Sequence, residues 1–334
     1  MLQWKKRLIR KNHNSRSENG PPLKNHTRLR GNLKRMPSAS RKSPLTYSQP
    51  VTEIIRRRFS CRNYDSRPIE EKDRRTLEEF MAALTAGPLG SALRFQLLSA
   101  TDPDRDSLRG LETYGFIRNE TGFIAGAATR SNKYLEDYGC ALERIILLAT
   151  DLGLGSCWLG GTFNKSGFAK KISLRKGEDL PAVAAIGYIA DPERARSGIL
   201  ARAAGADRRL PWESLFFREE FGVPLSISDA GAYAEPLEMV HLGPSASNKQ
   251  PWRILRRGKA WHFYLQRTKG YRAGFFQTLL RVADIQRVDM GIAMCHFELT
   301  ASEAGVRGKW AVDPPTVAPP DREPEYIVTW LEQE

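Results

Sequence analysis

An internal repeat constrains this chain more than any other feature. Residues 137–158, DYGCALERIILLATDLGLGSCW, and residues 289–310, DMGIAMCHFELTASEAGVRGKW, align without a gap at an offset of 152. Asp137/Asp289, Gly139/Gly291, Ala141/Ala293, Leu147/Leu299, Ala149/Ala301, Gly153/Gly305 and Trp158/Trp310 are identical between the copies. Each copy reads as a long helix with a Gly-bearing C-terminal turn. The interval is too long for a solenoid or propeller unit of about 20–50 residues, so it implies a duplicated domain. One polypeptide can then build the interface, and any site on it, that a homodimer builds from two copies.

The 334 residues suit two domains, and no apolar run reaches the length of a membrane span. The opening MLQWKKRLIRKNHNS lacks the apolar centre of a secretory signal. Cys61, Cys140, Cys157 and Cys295 form no CxxC pair. Cytoplasmic placement is the expectation. The net charge of +14 is concentrated at one end, because residues 1–50 hold thirteen Lys/Arg against the single acid Glu18. That segment has no sustained apolar period and is expected to be disordered. A solvated tail is the simplest reading. An over-extended start ahead of Met36, or weak binding to nucleic acid or an anionic surface, are the alternatives. Few aromatics interleave with the basic residues, so no specific nucleic-acid partner is expected.

Order is expected from about Thr52. Residues 53–58 read as the end of a short helix, 60–68 as a turn and 69–84 as a helix, with Ile69, Leu77, Phe80, Met81 and Leu84 at helical spacing. Residues 95–100 read as a buried strand, and 114–118 with 122–125 as a hairpin around Asn119, Glu120 and Thr121. After the first repeated helix, 182–189 is a second buried strand, and the Arg-, Gly- and Ala-rich stretch 191–236 is the crossover between halves. Strands 252–256 and 261–266 flank Arg257-Gly258-Lys259 as a hairpin, and 326–330 is the counterpart of 182–189. Short antiparallel strands beside long helices indicate an α+β fold, not a doubly wound α/β sheet. The expected organisation is a tail over 1–50, a first half over 51–225 and a second half over 226–334.

Three segments carry chemistry. GPSASNKQPWR (243–253) sets backbone N–H groups and amide donors in a turn before a strand, which suits a flat, hydrogen-bonding ligand; alternatively it only caps the strand. RRRFSCRNY (56–64) places Arg58, Ser60 and Arg62 at alternate positions, which share one face of an extended stretch. Two guanidiniums and a hydroxyl there make a phosphate cradle, or else a solvated basic face. GLGSCWLGG (153–161) follows a helix instead of preceding one, and Trp158 fills the third Gly position, so it is not a dinucleotide fingerprint. Gly153 or Gly155 serves the helix cap, whereas Gly160 and Gly161 let backbone approach something flat. There is no Gly-x-Ser-x-Gly elbow, P-loop or HExxH. The five His have no ligand spacing, so no metal is expected, and His296 on the repeated helix reads as a core or interface residue.

Taken together, these segments resemble the FMN-dependent nitroreductase family over about residues 52–334. RFSCRNY (58–64) looks like its Arg-x-Ser-x-Arg phosphate motif, GPSASNKQPW like its Pro-Ser-x-x-Asn-x-Gln-Pro-Trp motif, and DYGCALERIILLATDLGLGSCWLGG like its central helix and flavin-facing turn. Ordinary members are homodimers with an FMN at each side of the interface. In this chain the Arg motif lies in the first half and the intact Pro-Ser turn in the second. GPLGSALRF (87–95), the first-half counterpart of that turn, lacks the Asn and the Pro-Trp. The resemblance therefore implies a tandem, pseudo-dimeric chain: a nitroreductase-like fold duplicated, each half a small mostly antiparallel sheet with long helices, one complete FMN site, one decayed site, and a monomer. It assigns Arg58, Ser60 and Arg62 to phosphate and ribityl. Phe59 stands where many members are basic. Arg209 becomes a second phosphate candidate, Gly160 and Gly161 face the reactive ring edge, and Pro244, Ser245, Ala246 and Asn248 contact ring and ribityl. It implies ping-pong transfer from NADH or NADPH through FMN to a small acceptor such as a nitroaromatic or quinone, with the flavin carrying the chemistry and no catalytic side chain. A non-catalytic flavin carrier or sensor is the alternative.

Overall fold

The computed structural model describes residues 46–100, 108–111, 113, 115–191, 208–269, 283–315 and 324–333. Most of the predicted basic tail lies outside these residues. Its last residues are anchored: the Tyr47 hydroxyl donates to Arg144 O at 3.1 Å, and Ser48 N and Oγ donate to Asp151. Order thus begins by Thr46, ahead of Thr52.

The first half runs α1 (Val51–Arg57), α2 (Glu71–Ala83), β1 (Leu93–Ser99), β2 (Gly122–Thr129), α3 (Tyr134–Asp151), β3 (Leu154–Leu159), α4 (Lys165–Lys171), β4 (Glu178–Asp179) and β5 (Val183–Tyr188). After residue 208 come β6 (Phe216–Arg218), α5 (Ile227–Ala230), α6 (Ala234–Leu242), β7 (Trp252–Arg257), β8 (Ala260–Leu265), α7 (Ile285–Glu303), β9 (Gly308–Ala311) and β10 (Glu325–Glu332). Two sheets result, with paths β1-β2-β5-β3 and β7-β8-β10-β9. Each path visits its strands in the same order, so the repeat seen in one helix extends to the whole sheet topology. β4 adds to β2 of the first sheet, and β6 adds parallel to β7 of the second.

The repeated helices lie together at the centre. Each is buried around most of its circumference, as a helix enclosed by protein must be. A Cβ placed on Gly139 would stand 2.2 Å from Val288 O, and one on Gly291 would stand 2.1 Å from Glu136 O. Val288 and Glu136 are themselves equivalent at the 152 offset, so the contact is reciprocal, as across a two-fold axis. Gly is required at both positions because the backbones touch. Each sheet covers its own apolar cluster, built around Ile124, Ile145 and Ile186 in the first and around Trp252, Phe263 and Phe297 in the second. A smaller cluster of Ile54, Ile55, Leu147, Met239 and Cys295 joins the halves.

Three expectations need correction. Residues 114–118 do not form a hairpin with 122–125: β2 instead pairs antiparallel with β1, Leu97 opposite Ile124, and the described residues 115–118 hold no strand. GLGSCWLGG is not only a turn. Gly153, at φ +80°, ends α3, and Leu154–Leu159 then pairs with β5 along its whole length. The stretch 191–236 is not plain crossover, since from residue 208 it supplies β6, α5 and the start of α6.

Candidate functional site

A cleft of about 400 Å³ opens between the halves, beside the crossing of α3 and α7. The first half contributes Ser60, Arg62, Cys157, Trp158, Gly160 and Gly161; the second contributes the turn Pro244–Ser247, with Ile285, Val288, Asp289 and Ile292 from α7. Seven residues singled out in the sequence therefore meet there: Ser60, Arg62, Gly160, Gly161, Pro244, Ser245 and Ala246. Arg58, Phe59, Arg209 and Asn248 do not line it.

Local geometry explains the division. After α1 the chain becomes extended at Arg58 (φ −63°, ψ 130°) and runs beside β3, where Cys61 N donates to Ser156 O at 2.8 Å. Alternate side chains then face opposite ways. Ser60 and Arg62 turn to the cleft, while Cys61 is buried in a cluster that Phe59 also packs against. Arg62 is half-buried, and its guanidinium has no ion-pair partner among the described residues. Arg58 breaks the expected row. Its side chain is only 7% exposed, with Nε 3.7 Å from Glu143 Oε1.

Glu143 is the hub of that wall. Fully buried, it accepts from Trp158 Nε1 at 2.7 Å and meets His296 Nε2 at 2.9 Å. His296 Nδ1 lies 2.8 Å from Met239 O. The carboxyl thus ties the Arg58 arm, the Trp158 wall and a helix of the second half into one unit, and His296 is placed as an interface residue. Buried carboxylates persist when hydrogen-bonded in this way.

The turn at 244–250 is strained. Ser247, Asn248 and Gln250 have φ of 50°, 53° and 48° without being Gly, and each such residue costs about 1–3 kcal/mol. A clamp at 208–210 holds it. Arg209 donates from Nη1 to Gly243 O at 2.8 Å and from Nη2 to Leu242 O at 2.9 Å. Asn248 Nδ2 donates to Arg208 O at 2.7 Å, Leu210 N donates to Gln250 Oε1 at 2.9 Å, and Gln250 N donates to Ser245 Oγ at 2.9 Å. Arg209 and Asn248 thus shape the turn from behind, and the turn presents Pro244–Ser247 to the cleft.

The sequence reading assigned no role to Asp289, Trp158 or Cys157 in the site. Burial holds the Cys157 thiol above its ordinary value, against the pull of Arg62 and Arg58. Asp289 accepts from Ala246 N at 3.0 Å through Oδ1, while its buried Oδ2 has no partner among the described residues. Burial pushes its carboxyl up to about 8, Ala246 N–H opposing and Asp284 adding to the rise. The one available signal was a carboxylate identical in both copies of the repeated helix.

The equivalent positions across the pseudo-two-fold carry different residues and contacts. Arg287 pairs with buried Glu136 at 2.7 Å, where Glu136 matches cleft residue Val288. Leu89 of the first-half turn packs on the second core. Val312 and Asp313 stand in place of Gly160 and Gly161.

The cleft joins a guanidinium and a buried carboxyl oxygen that lack partners among the described residues, a hydroxyl, an apolar wall, and a backbone edge at Gly161 with open space beside it. Those donors fit a flat heteroaromatic ring carrying a phosphate. The family described as "Putative TM nitroreductase" matches residues 50–301. A nitroreductase-type structure from Thermotoga maritima superposes with a TM-score of 0.53 at 19% identity, covering 86% of this chain and 95% of that one. A nitroreductase-type protein from Desulfovibrio desulfuricans in complex with FMN is 26% identical over 43% of this chain and 88% of that one, with a TM-score of 0.35. A search of curated proteins finds no match. The fold is the nitroreductase fold, present as two copies in one chain.

Proposed function

The chain belongs to the nitroreductase family whose description matches its residues 50–301, and from that premise we propose that it is an FMN-dependent oxidoreductase with one cofactor site per chain. The observation that carries this reading is the composite cleft, in which Ser60, Arg62, Gly160 and Gly161 of one half face Pro244–Ser247 of the other. When bound, FMN supplies the hydride acceptance and donation. The chain's own residues bind and orient it. Arg62 and Ser60 hold the anionic phosphate by charge-assisted hydrogen bonds. Pro244, Ser245 and Ala246 close on the ring, with Trp158, Val288 and Ile292 as its apolar wall. Gly160 and Gly161 leave an edge of the ring approachable. Arg58 and Phe59 support this arm from behind, as Arg209 and Asn248 support the turn.

NADH or NADPH and a small acceptor such as a nitroaromatic or quinone take turns at one open face, which gives ping-pong kinetics. The halves divide at 225/226, with β6 (216–218) reaching from the first into the sheet of the second. A chain whose halves satisfy each other is a monomer. None of the described helices is long and apolar enough to cross a membrane.

The test is to load purified protein with FMN and add NADH or NADPH without oxygen. Bleaching of the flavin band, restored by a nitroaromatic or quinone, supports the oxidoreductase. Bound flavin that neither nucleotide reduces makes the chain a flavin carrier or sensor.

A further inference from the structure

The duplication supplies an internal control for one residue. Asp137 and Asp289 occupy the same position of the two repeated helices. Asp137 is satisfied at both oxygens by its own turn: Leu89 N donates to Oδ1 at 2.7 Å and Ser91 N to Oδ2 at 2.8 Å. The turn above Asp289 delivers one N–H, from Ala246, and leaves Oδ2 bare. The cause is local. The first turn curls through Gly90 at φ +91°, whereas Ser247 and Asn248 are held in left-handed backbone by the 208–210 clamp. On the first-half side Leu89 packs on the second core, Arg287 pairs with Glu136, and the acid is buried with both oxygens bonded. The second-half side is an open cleft lined by Asp289, whose bare Oδ2 is buried in the wall of that cleft. A buried polar atom without a partner is costly, and a ligand that satisfies it gains that free energy on binding.

We infer that Asp289 reads the polar edge of the ring bound in the cleft, its Oδ2 hydroxyl donating a hydrogen bond to a carbonyl oxygen or ring nitrogen of the ligand. The inference rests on the cofactor reading above. It takes the acid as a donor because its carboxyl, raised to about 8 by burial, keeps its proton near neutral pH. Oδ1 already accepts from Ala246 N, so the proton belongs on Oδ2.

The groups around it do not replace that proton. Pro244–Ser247 carries no titratable side chain. Asp284, earlier on its chain, is paired with Arg267 at 2.7 Å, and Arg287 with Glu136 at 2.7 Å. Arg62 and Cys157 line the cleft from the first half, and burial raises the Cys157 thiol above its ordinary value. Above its raised value Asp289 becomes an anion that faces a ligand acceptor and shares a cleft with a phosphate, and binding weakens.

The experiment is an FMN titration, read by flavin fluorescence, from about pH 6.5 to about pH 9.5 on the full chain and on Asp289→Asn and Asp289→Ala. For the unchanged chain the dissociation constant should rise at least about ten-fold between pH 7 and pH 9.5. Asp289→Asn keeps a donor at the same place and the contact to Ala246 N. It should bind within about three-fold of the unchanged chain at pH 7 and lose most of the alkaline decline. Asp289→Ala should bind at least about ten-fold more weakly at pH 7. Circular dichroism checks that each variant folds, and the Asn variant alone decides the matter if Ala does not. Wild-type affinity in the Ala variant, or an undiminished alkaline decline in the Asn variant, overturns the inference and leaves the cofactor reading standing. Failure of the unchanged chain to bind FMN at any pH overturns both.

Discussion

Gly139 and Gly291 test the internal two-fold most sharply. An Ala methyl on either would sit 2.2 or 2.1 Å from a carbonyl oxygen of the facing helix, so α3 and α7 must part by about 1 Å. The obstacle is backbone and cannot rotate away, which puts the overpacking cost near the top of its usual range, about 3 kcal/mol. Ala returns about 1 kcal/mol of helix propensity. Each single variant should therefore lose about 2 kcal/mol in urea unfolding followed by circular dichroism, with an unchanged denaturant slope. The two contacts are reciprocal, so one parting of the helices accommodates both methyls. The double variant should lose less than the sum, with a coupling of at least about 1 kcal/mol. A gain of about 1 kcal/mol in either single variant, as at a solvent-facing helical Gly, would refute the crossing. Strict additivity would refute the shared contact.

Other outcomes follow from the site. Arg62→Ala should weaken FMN binding by roughly 1–3 kcal/mol without lowering stability, since the half-buried guanidinium has no protein partner among the described residues; an unchanged dissociation constant removes Arg62 from the site. Arg209→Ala should also weaken FMN, through release of the strained turn that it ties at Gly243 O and Leu242 O, and proteolysis between 243 and 251 should quicken; protection equal to the unchanged chain would count against the clamp. Glu143→Ala should cost about 3–5 kcal/mol by stranding His296, Trp158 and Arg58, visible as a fall in thermal midpoint. Asp289 gives a pH signature of its own. Its folded carboxyl titrates at about 8 against an unfolded value of 3.8, so the folded state holds the extra proton between them. Stability contributed by this group must then fall as pH rises through that window. Asp289→Asn should flatten the slope, and a slope that the variant leaves intact would mean that other groups carry it.

How much of this was legible in the sequence depends on distance along the chain. The duplication was readable because helix packing fixes small residues and caps at set intervals, and Gly139/Gly291 now have a contact to explain them. The pairing of β2 was not readable, because its partner β1 is separated from it by residues 100–121 and the nearer segment 114–118 was equally plausible. β3 was hidden by its Gly content, although only Gly153 needs left-handed backbone there. In the site, residue types were legible and directions were not. Alternation placed Ser60 and Arg62 together, but the extended turn out of α1 sent Arg58 to Glu143. The resemblance made Arg209 a second phosphate candidate, yet its Nη1 and Nη2 donate to the main-chain carbonyls of Gly243 and Leu242. Asp289 could be marked as unusual from the repeat, whereas its bare oxygen follows from the shape of a turn some forty residues away.

The central claim is a single flavin site made from both halves of one chain. Its direct measurement is the FMN stoichiometry of the purified protein, with its mass in solution determined by sedimentation on the same sample. The account predicts a monomer that binds one FMN, more weakly on mutation of either Arg62 or the 244–247 turn. Two FMN per chain, or a tight dimer needed for any binding, would contradict it.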